Sequence, residues 1–534
     1  MARTTNRRAR RDRSTVQVDA SHSHIASNPP GPVAIVVATP SDAIALLAAE
    51  PEGAVVEIVC LQDGREGEYR ALEQAIGDAR KRGCVFPGEP FVLDAEVGNV
   101  TRLVVDALHE IQPLRVRTLD PDPRHTSVDK ERRELVVTEP KPRGTAARGA
   151  IAAARQFQRE SGRPVFVECH RAESDPRFGF DACSRYPRPA HWLTRDRAGR
   201  LTAYLVSAAG VLRWTEAERE ADGWLGPELL DTPELMPGLT VLQGPEGYVH
   251  LIGLRRAKRK EGGGADVEVV HATQYQSGRP IGPWHSVGNP NAGDWKKARE
   301  VGFPVAAFDA KGTLHFFVRN VGKSISTRRQ DTAGSWSKWE HLGGRRVADE
   351  LVAYPGWHGG VEVMATAADG GAAVRWFYDV EAKSWTEDRG APVSPYPGSL
   401  SAGPEAGVVR YRYAATNEVC VWPVGTAAPL GLGGADGAGR IAAVTGADIQ
   451  GWGCTVLVRS GPHGESAIGA HPDGRPENGV WWTQSGERSL VPPATAVDRR
   501  GRVAIVTLGE GGRLWVARQQ LGSGGLEFTP WSAV

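Results

Sequence analysis

At 534 residues the chain is about twice the size at which a single hydrophobic core stops growing, so two or more domains are expected. Its 64 Lys and Arg nearly cancel its 63 Asp and Glu, which excludes the broad positive field that draws a protein to nucleic acid or an anionic membrane. No run approaches the roughly 18–20 apolar residues of a membrane-spanning helix. The six cysteines, Cys60, Cys84, Cys169, Cys183, Cys420 and Cys454, form no C-x-x-C pair or zinc-spaced group and read as packed or free thiols.

Residues 1–31 crowd Arg3, Arg7, Arg8, Arg10, Arg11 and Arg13 into a segment with almost nothing to bury, ending in Asn28-Pro29-Pro30-Gly31. This composition predicts a disordered basic tail. The arginines are followed by polar residues rather than the apolar core of a secretory signal, so a cytoplasmic location is expected.

From residue 32 to about 180, apolar runs alternate with helical patterns. Val33 to Ala38 is continuous and β-branched, as a strand buried on both faces should be, and Ser41 is placed to cap a helix carrying Ala43, Ile44, Leu46 and Leu47. Val55 to Leu61 predicts a second strand, and Tyr69, Leu72, Ile76 and Ala79 recur at helical spacing between Arg65 and Arg82. A further helix carries Val100, Val104, Leu108 and Ile111 and stops before Pro113. Leu114 to Thr118 and Val165 to Glu168 are strands flanking a helix from Thr145 to Arg159. Strict alternation predicts a Rossmann-like α/β domain, a parallel sheet with helices on both faces. Such sheets hold ligands at the carboxyl ends of their strands, where Thr39 to Asp42, Asp63 and the Asp120 to His125 loop fall.

From about residue 181 to 534 the composition shifts to Gly, Trp and short alternating runs. HWLTRDRAGRLTAYLV from His191, FPVAAFDAKGTLHFFVRN from Phe303 and ATAVDRRGRVAIVTL from Ala494 share one plan, strand, Gly-centred turn, strand. Trp224, Trp284, Trp339, Trp385, Trp482 and Trp531 recur about every 50 residues, with one double gap that LGLGGADG from Leu430 fills. Seven such repeats predict a seven-bladed β-propeller. Regularly spaced Trp serves either to pack blades or to stack on sugar rings.

Taken together, Ala38-x-Pro40-x-Asp42 after the first strand, VEIVCLQDG at the second, and RTLDPDPRHTS at Arg117 to Ser127 resemble the PIG-L/LmbE-like zinc deacetylases, in the long actinobacterial form with a C-terminal repeat domain. The repeat half is similar to tectonin-like and fungal-type lectin propellers. The resemblance implies removal of an acetyl group from N-acetylglucosamine-type substrates, with one zinc held by a His, the second Asp of a His-Pro-Asp-Asp motif and a distant His, and the first Asp as general base. Carried over by position, the ligand His is Thr39, the base is Ser41, the second Asp survives as Asp42, and the distant His falls on Gly144, in Lys141-Pro142-Arg143-Gly144. One carboxylate cannot replace the three protein ligands a zinc site needs. The expectation is therefore a non-catalytic relative with neither metal nor cofactor, binding a glycan through its propeller. The alternative is a metal-dependent hydrolase rebuilt around Asp42, Asp120, Asp122 and His125. Lys141 and Arg143 offer a third use of the site, positive charge at a helix start that could receive an anion. His471-Pro472-Asp473-Gly474 repeats the lost motif in letters but ends as a hairpin turn.

Overall fold

The computed structural model describes residues 31–534 apart from 49, 97, 123–125, 130–133, 138–140, 172–183, 220–222, 259–264, 293, 345, 368–371, 380–381, 487 and 510. The basic tail, His125 and Cys183 thus lie outside the described residues; the other five cysteines are buried and free.

The first half runs β1 (Val33–Val37), α1 (Pro40–Leu47), β2 (Val56–Cys60), α2 (Glu66–Lys81), β3 (Phe91–Val92), α3 (Val100–Ile111), β4 (Arg115–Leu119), β5 (Thr126–Asp129), β6 (Glu134–Val137), α4 (Lys141–Ser161) and β7 (Phe166–His170). Five strands form a parallel sheet in the order β3-β2-β1-β4-β7. Because side chains alternate along a strand, Ile35 and Val37 of β1 pack with Leu47, Leu72 and Ile76 on one face. Ala34 and Val36 pack with Val104, Leu108, Ala150 and Phe157 on the other. Three local expectations are corrected. The residue before α1 is Thr39, not Ser41, because Pro40 occupies the first helical position it favours. α4 starts at Lys141 for the same reason, with Pro142 in its first turn. The short edge strand β3 and the hairpin β5–β6 carry too few alternating residues to stand out in the sequence.

The second half is seven four-stranded antiparallel sheets spanning 193–229, 240–288, 305–343, 347–388, 401–431, 438–485 and 494–533, hereafter blades 1 to 7. Each blade consists of consecutive strands, and the first strands of neighbouring blades touch from blade 2 to blade 7 and from blade 7 to blade 1, closing the ring. Blades 1 and 7 share one core, with Leu201, Leu205 and Trp214 against Val506, Leu508 and Leu514. Across that joint Arg518 Nη2 donates to Glu216 at 2.7 Å and Trp192 Nε1 to the Pro492 carbonyl at 2.9 Å. The spaced tryptophans lie in or directly before the outer strands, and Leu430–Gly431 is the outer strand of blade 5, where the Trp is missing. They lean on the preceding blade: Trp482 Nε1 donates to the Leu432 carbonyl at 2.8 Å and Trp531 Nε1 to Ser485 Oγ at 2.9 Å.

Strand alternation gives the propeller two faces. One carries the turns between second and third strands and the links between blades, and the α/β domain docks there. Leu114 and Phe166 join the blade 1–7 core; Ala208, in a blade 1 turn, joins the core under α3 and α4; Ile151 and Cys169 pack with residues of blades 2 and 3. Arg155 Nη2 donates to the Leu235 carbonyl at 3.1 Å, and Arg171 reaches Asp349 of blade 4, which also holds Arg319 Nε at 2.9 Å. Burial and the neighbouring Arg185 push Arg319 down to about 9, still protonated at neutral pH. The opposite face, with turns between first and second and between third and fourth strands, is left free by the α/β domain.

Trp376, fully buried between blades 3 and 4, should therefore cost about 3–5 kcal/mol when changed to Ala. Trp452→Ala, on the free face, should change stability by less than about 0.5 kcal/mol. Urea unfolding of the two variants measures both.

Candidate functional site

The carboxyl end of the parallel sheet brings Thr39, Ser41 and Asp42 of β1–α1 against the first turn of α4. Asp42 is almost fully buried, 2% exposed at its side chain, and its Oδ1 accepts Arg143 Nε at 2.7 Å. Its Oδ2 receives the Thr39 backbone N–H and hydroxyl, both at 3.3 Å, and Thr39 Oγ1 lies 2.9 Å from Ser41 Oγ. The Asp42 carboxylate is thus neutralised by a guanidinium one residue before Gly144. A carboxylate so engaged has its charge satisfied by a fixed cation, and hydroxyls at Thr39 and Ser41 supply neither an imidazole ligand nor a base strong enough to deprotonate water. Nearby Cys60 is no substitute: burial, then the Asp42 charge, pushes its thiol up to about 12, so it carries no thiolate at neutral pH.

Of the other pocket candidates, Asp120 and Asp122 are likewise held by the fold. Asp120 accepts the Asp122 N–H at 2.9 Å and faces Arg185 Nε at 3.2 Å; Asp122 pairs with Arg256 of blade 2. Arg148 Nη1 donates to the Pro121 carbonyl at 2.7 Å. Asp63 stands apart on the surface, accepting the Tyr69 hydroxyl at 2.8 Å and the Gly64 N–H at 2.9 Å. Lys141 opens α4, and only its backbone is described. Among the described residues no group of three or more His, Cys, Asp and Glu is placed to hold a metal ion. His471 and Asp473 close the third strand of blade 6, with Thr455 Oγ1 donating to Asp473 at 2.7 Å, so this stretch is a strand end and turn.

The sequence leaves the regularly spaced tryptophans open between blade packing and ring stacking, and the structure places them between blades. The periodic ones are inter-blade packing; the exposed aromatics lie outside the period. Trp357 is 59% exposed, Trp452 70%, Trp481 91% and Tyr275 77%; a fifth aromatic, Tyr413, 38% exposed, lies in the turn between second and third strands of blade 5, on the other face. Trp357 sits in the turn between first and second strands of blade 4, and Trp452 opens the second strand of blade 6 directly after the corresponding turn. Tyr275 and Trp481 sit between third and fourth strands of blades 2 and 6. All four therefore belong to the face away from the α/β domain. Trp357 is braced, its Nε1 donating to the Gly407 carbonyl of blade 5 at 3.1 Å. The only sequence signal for this set is its departure from the repeat.

No family model matches the chain and no curated protein matches it. Solved structures match the propeller half. The BP39L lectin from Burkholderia pseudomallei is 13% identical, with 66% of this chain and 99% of the lectin covered, at a TM-score of 0.46. The six-bladed Aleuria aurantia lectin is 15% identical over 55% of this chain and 93% of its own length, at 0.32. The Hadza microbial sialidase Hz136 is 14% identical over 51% and 63%, at 0.36. At these values the likeness carries no argument about ligand; the class, an α/β domain joined to a seven-bladed β-propeller, rests on the strand topology.

Arg143→Ala should strand a buried carboxylate and destabilise the protein by about 2 kcal/mol, less than a fully buried pair because Arg143 is one-third exposed. Adding Asp42→Asn should restore part of that loss, read as the midpoint of thermal unfolding.

Proposed function

We propose that this chain is a glycan-binding protein whose α/β domain, related to the PIG-L/LmbE-like deacetylases, performs no hydrolysis and uses no zinc. The observation that carries the reading is the placement of Trp357, Trp452, Trp481 and Tyr275 on the one propeller face the α/β domain leaves free. A soluble protein exposes indole rings at a cost unless they meet something, and the flat apolar side of a pyranose is a natural partner for an aromatic face. The strand-end site supports the non-catalytic half of the reading: Asp42 is closed off by Arg143, and Thr39, Ser41 and Gly144 stand where the family's chemistry needs His, Asp and His.

The test uses the purified full-length chain on a glycan array together with metal analysis. Binding to a defined set of glycans is expected, lost in Trp357→Ala/Trp452→Ala/Trp481→Ala with an unchanged unfolding midpoint, and no stoichiometric metal is expected. A blank array removes the lectin reading. Stoichiometric zinc or iron that disappears in Asp42→Ala, with acetate release from N-acetylglucosamine oligomers, replaces it with the rebuilt hydrolase around Asp42, Asp120, Asp122 and His125.

A further inference from the structure

The joint between blades 2 and 3 holds a pair of imidazoles. Strand alternation turns His250 of the second strand of blade 2 and His271 of the third toward blade 3; His250 is registered opposite Thr273, two residues on from His271. His250 Nδ1 lies 2.9 Å from His271 Nε2 with the ring planes 3° apart, so one ring donates and the other accepts a single hydrogen bond. Blade 3 closes over the pair with aromatic rings set edge to face. Phe308 lies 5.1 Å from the His250 ring centre, and Phe316 and Trp336 lie 5.5 and 6.2 Å from that of His271, which is 4% exposed. Toward the free face the pair is capped by the 244–248 turn and by the strand end that leads into the Tyr275 loop. A side chain at Gly244 would meet Phe308 at 3.1 Å and His250 Nε2 at 3.4 Å, and Thr273 Oγ1 lies 3.4 Å from the same nitrogen.

Among the described residues, the titratable and charged groups on the two facing surfaces are His285, registered opposite His271, and Arg256 of blade 2, with Arg328 and His341 of blade 3. Arg256 is held by Asp122 at the docked face, His341 by Ser324 at 2.7 Å, and the Arg328 guanidinium lies 5.3 Å from the Trp336 ring centre. Glu246, Arg279 and Asp331, in the turns above, are exposed to solvent. No carboxylate acts on the pair: burial alone pushes His250 down to about 4, and burial with the His250 and His285 charges pushes His271 down to about 3. Other buried imidazoles of the propeller do have an acid to receive their charge. His315 lies 3.5 Å from Asp309, and His471 stands beside Glu405 and Asp473.

We propose that the His250–His271 pair is an acid-operated latch on the joint between blades 2 and 3: neutral, it holds the two blades and the base of the Tyr275 loop together, and on acidification it parts that joint while the rest of the ring stays closed. The first proton taken up places a cation in an aromatic box with no counter-charge; the second sets two N–H groups and two like charges against each other, so the rings titrate as a unit. Both folded values lie below the ordinary imidazole value of about 6.5, so the pair's contribution to stability is complete above that pH and is lost as pH falls toward 4. In this window the clasp between blades 7 and 1 keeps its charges, because burial of Asp498 among Arg502 and the backbone N–H groups of Arg500 and Arg502 holds its carboxyl below the usual range. The latch does not depend on what the free face binds; its opening would free one of the exposed aromatics of that face.

The experiment is amide hydrogen exchange on the full-length chain, read by mass spectrometry at neutral pH and at about pH 4.5, with rates corrected for the intrinsic pH dependence of exchange. The strands Val249–Lys258, Ala265–Thr273 and Leu314–Arg319 should lose protection by at least about tenfold at the lower pH, while Val503–Leu508 of blade 7 keeps its own. His250→Gln/His271→Gln, which retains a hydrogen-bonding pair and removes the titration, should hold blades 2 and 3 protected at both pH values; His250→Phe/His271→Phe, matched to the aromatic box, serves the same purpose if the amide pair does not fold. Protection that persists at the joint in the native chain, or that falls equally in every blade, overturns the latch. So does the same loss in a folded variant without the two imidazoles. If neither variant folds, the comparison of joints within the native chain decides the matter alone.

Discussion

The arrangement of this protein depends on pairing acids at the strand ends of the α/β domain with arginines, several drawn from the propeller or the segment leading to it. Asp122 is matched by Arg256, Asp120 by Arg185, and Asp349 of the propeller by Arg171 coming the other way. Leaving any one of these charges buried without its partner would cost more than the pair contributes, so the two halves are committed to one relative placement. That placement decides which surface remains for a ligand. The carboxyl ends of β4 and β7, part of the edge where such sheets usually bind, are turned into an internal joint. The propeller's opposite face is what solvent meets.

Much of this was legible in the sequence. Continuous apolar runs at Val33 and Val56 and helical spacing between Glu66 and Lys81 specify their elements locally, because burial on both faces or on one stripe leaves a periodic trace. The seven repeats were visible through their outer-strand tryptophans, even where blade 5 lacks one, since each blade must bury the same contact against its neighbour. The fate of the strand-end acids was not legible. Asp42 and Arg143 are 101 residues apart in the chain, and Asp122 and Arg256 are 134 apart; no local pattern joins them. The candidates Asp120 and Asp122 were sound as strand-end residues, and only the third dimension assigns them partners.

The tryptophans divide for a physical reason. An indole used for packing must recur wherever blades meet, so periodicity marks the structural ones. An indole used on a surface is free to occur once, in a turn whose geometry suits it. Trp452 and Trp481 break the repeat and are exposed; Trp482, next to Trp481 in the chain, keeps the repeat and is tucked against blade 5 under the Arg459 guanidinium, 4.8 Å from the ring centre. Adjacent residues in one sequence can thus serve opposite ends, and counting aromatics alone would merge them.

Among the described residues no strand is shared between blades 1 and 7, and the joint is made by a common core, Arg518 with Glu216, and Trp192 with the Pro492 carbonyl. Circles clasped by a donated strand fix their membership, because losing a unit would orphan half a sheet. Here every unit is self-contained, so a whole repeat could be gained or deleted during descent without rethreading the chain, provided the new neighbours present matching seams. Loops on individual blades are correspondingly at liberty to diverge, as the exposed Trp452 beside the first turn of blade 6 illustrates.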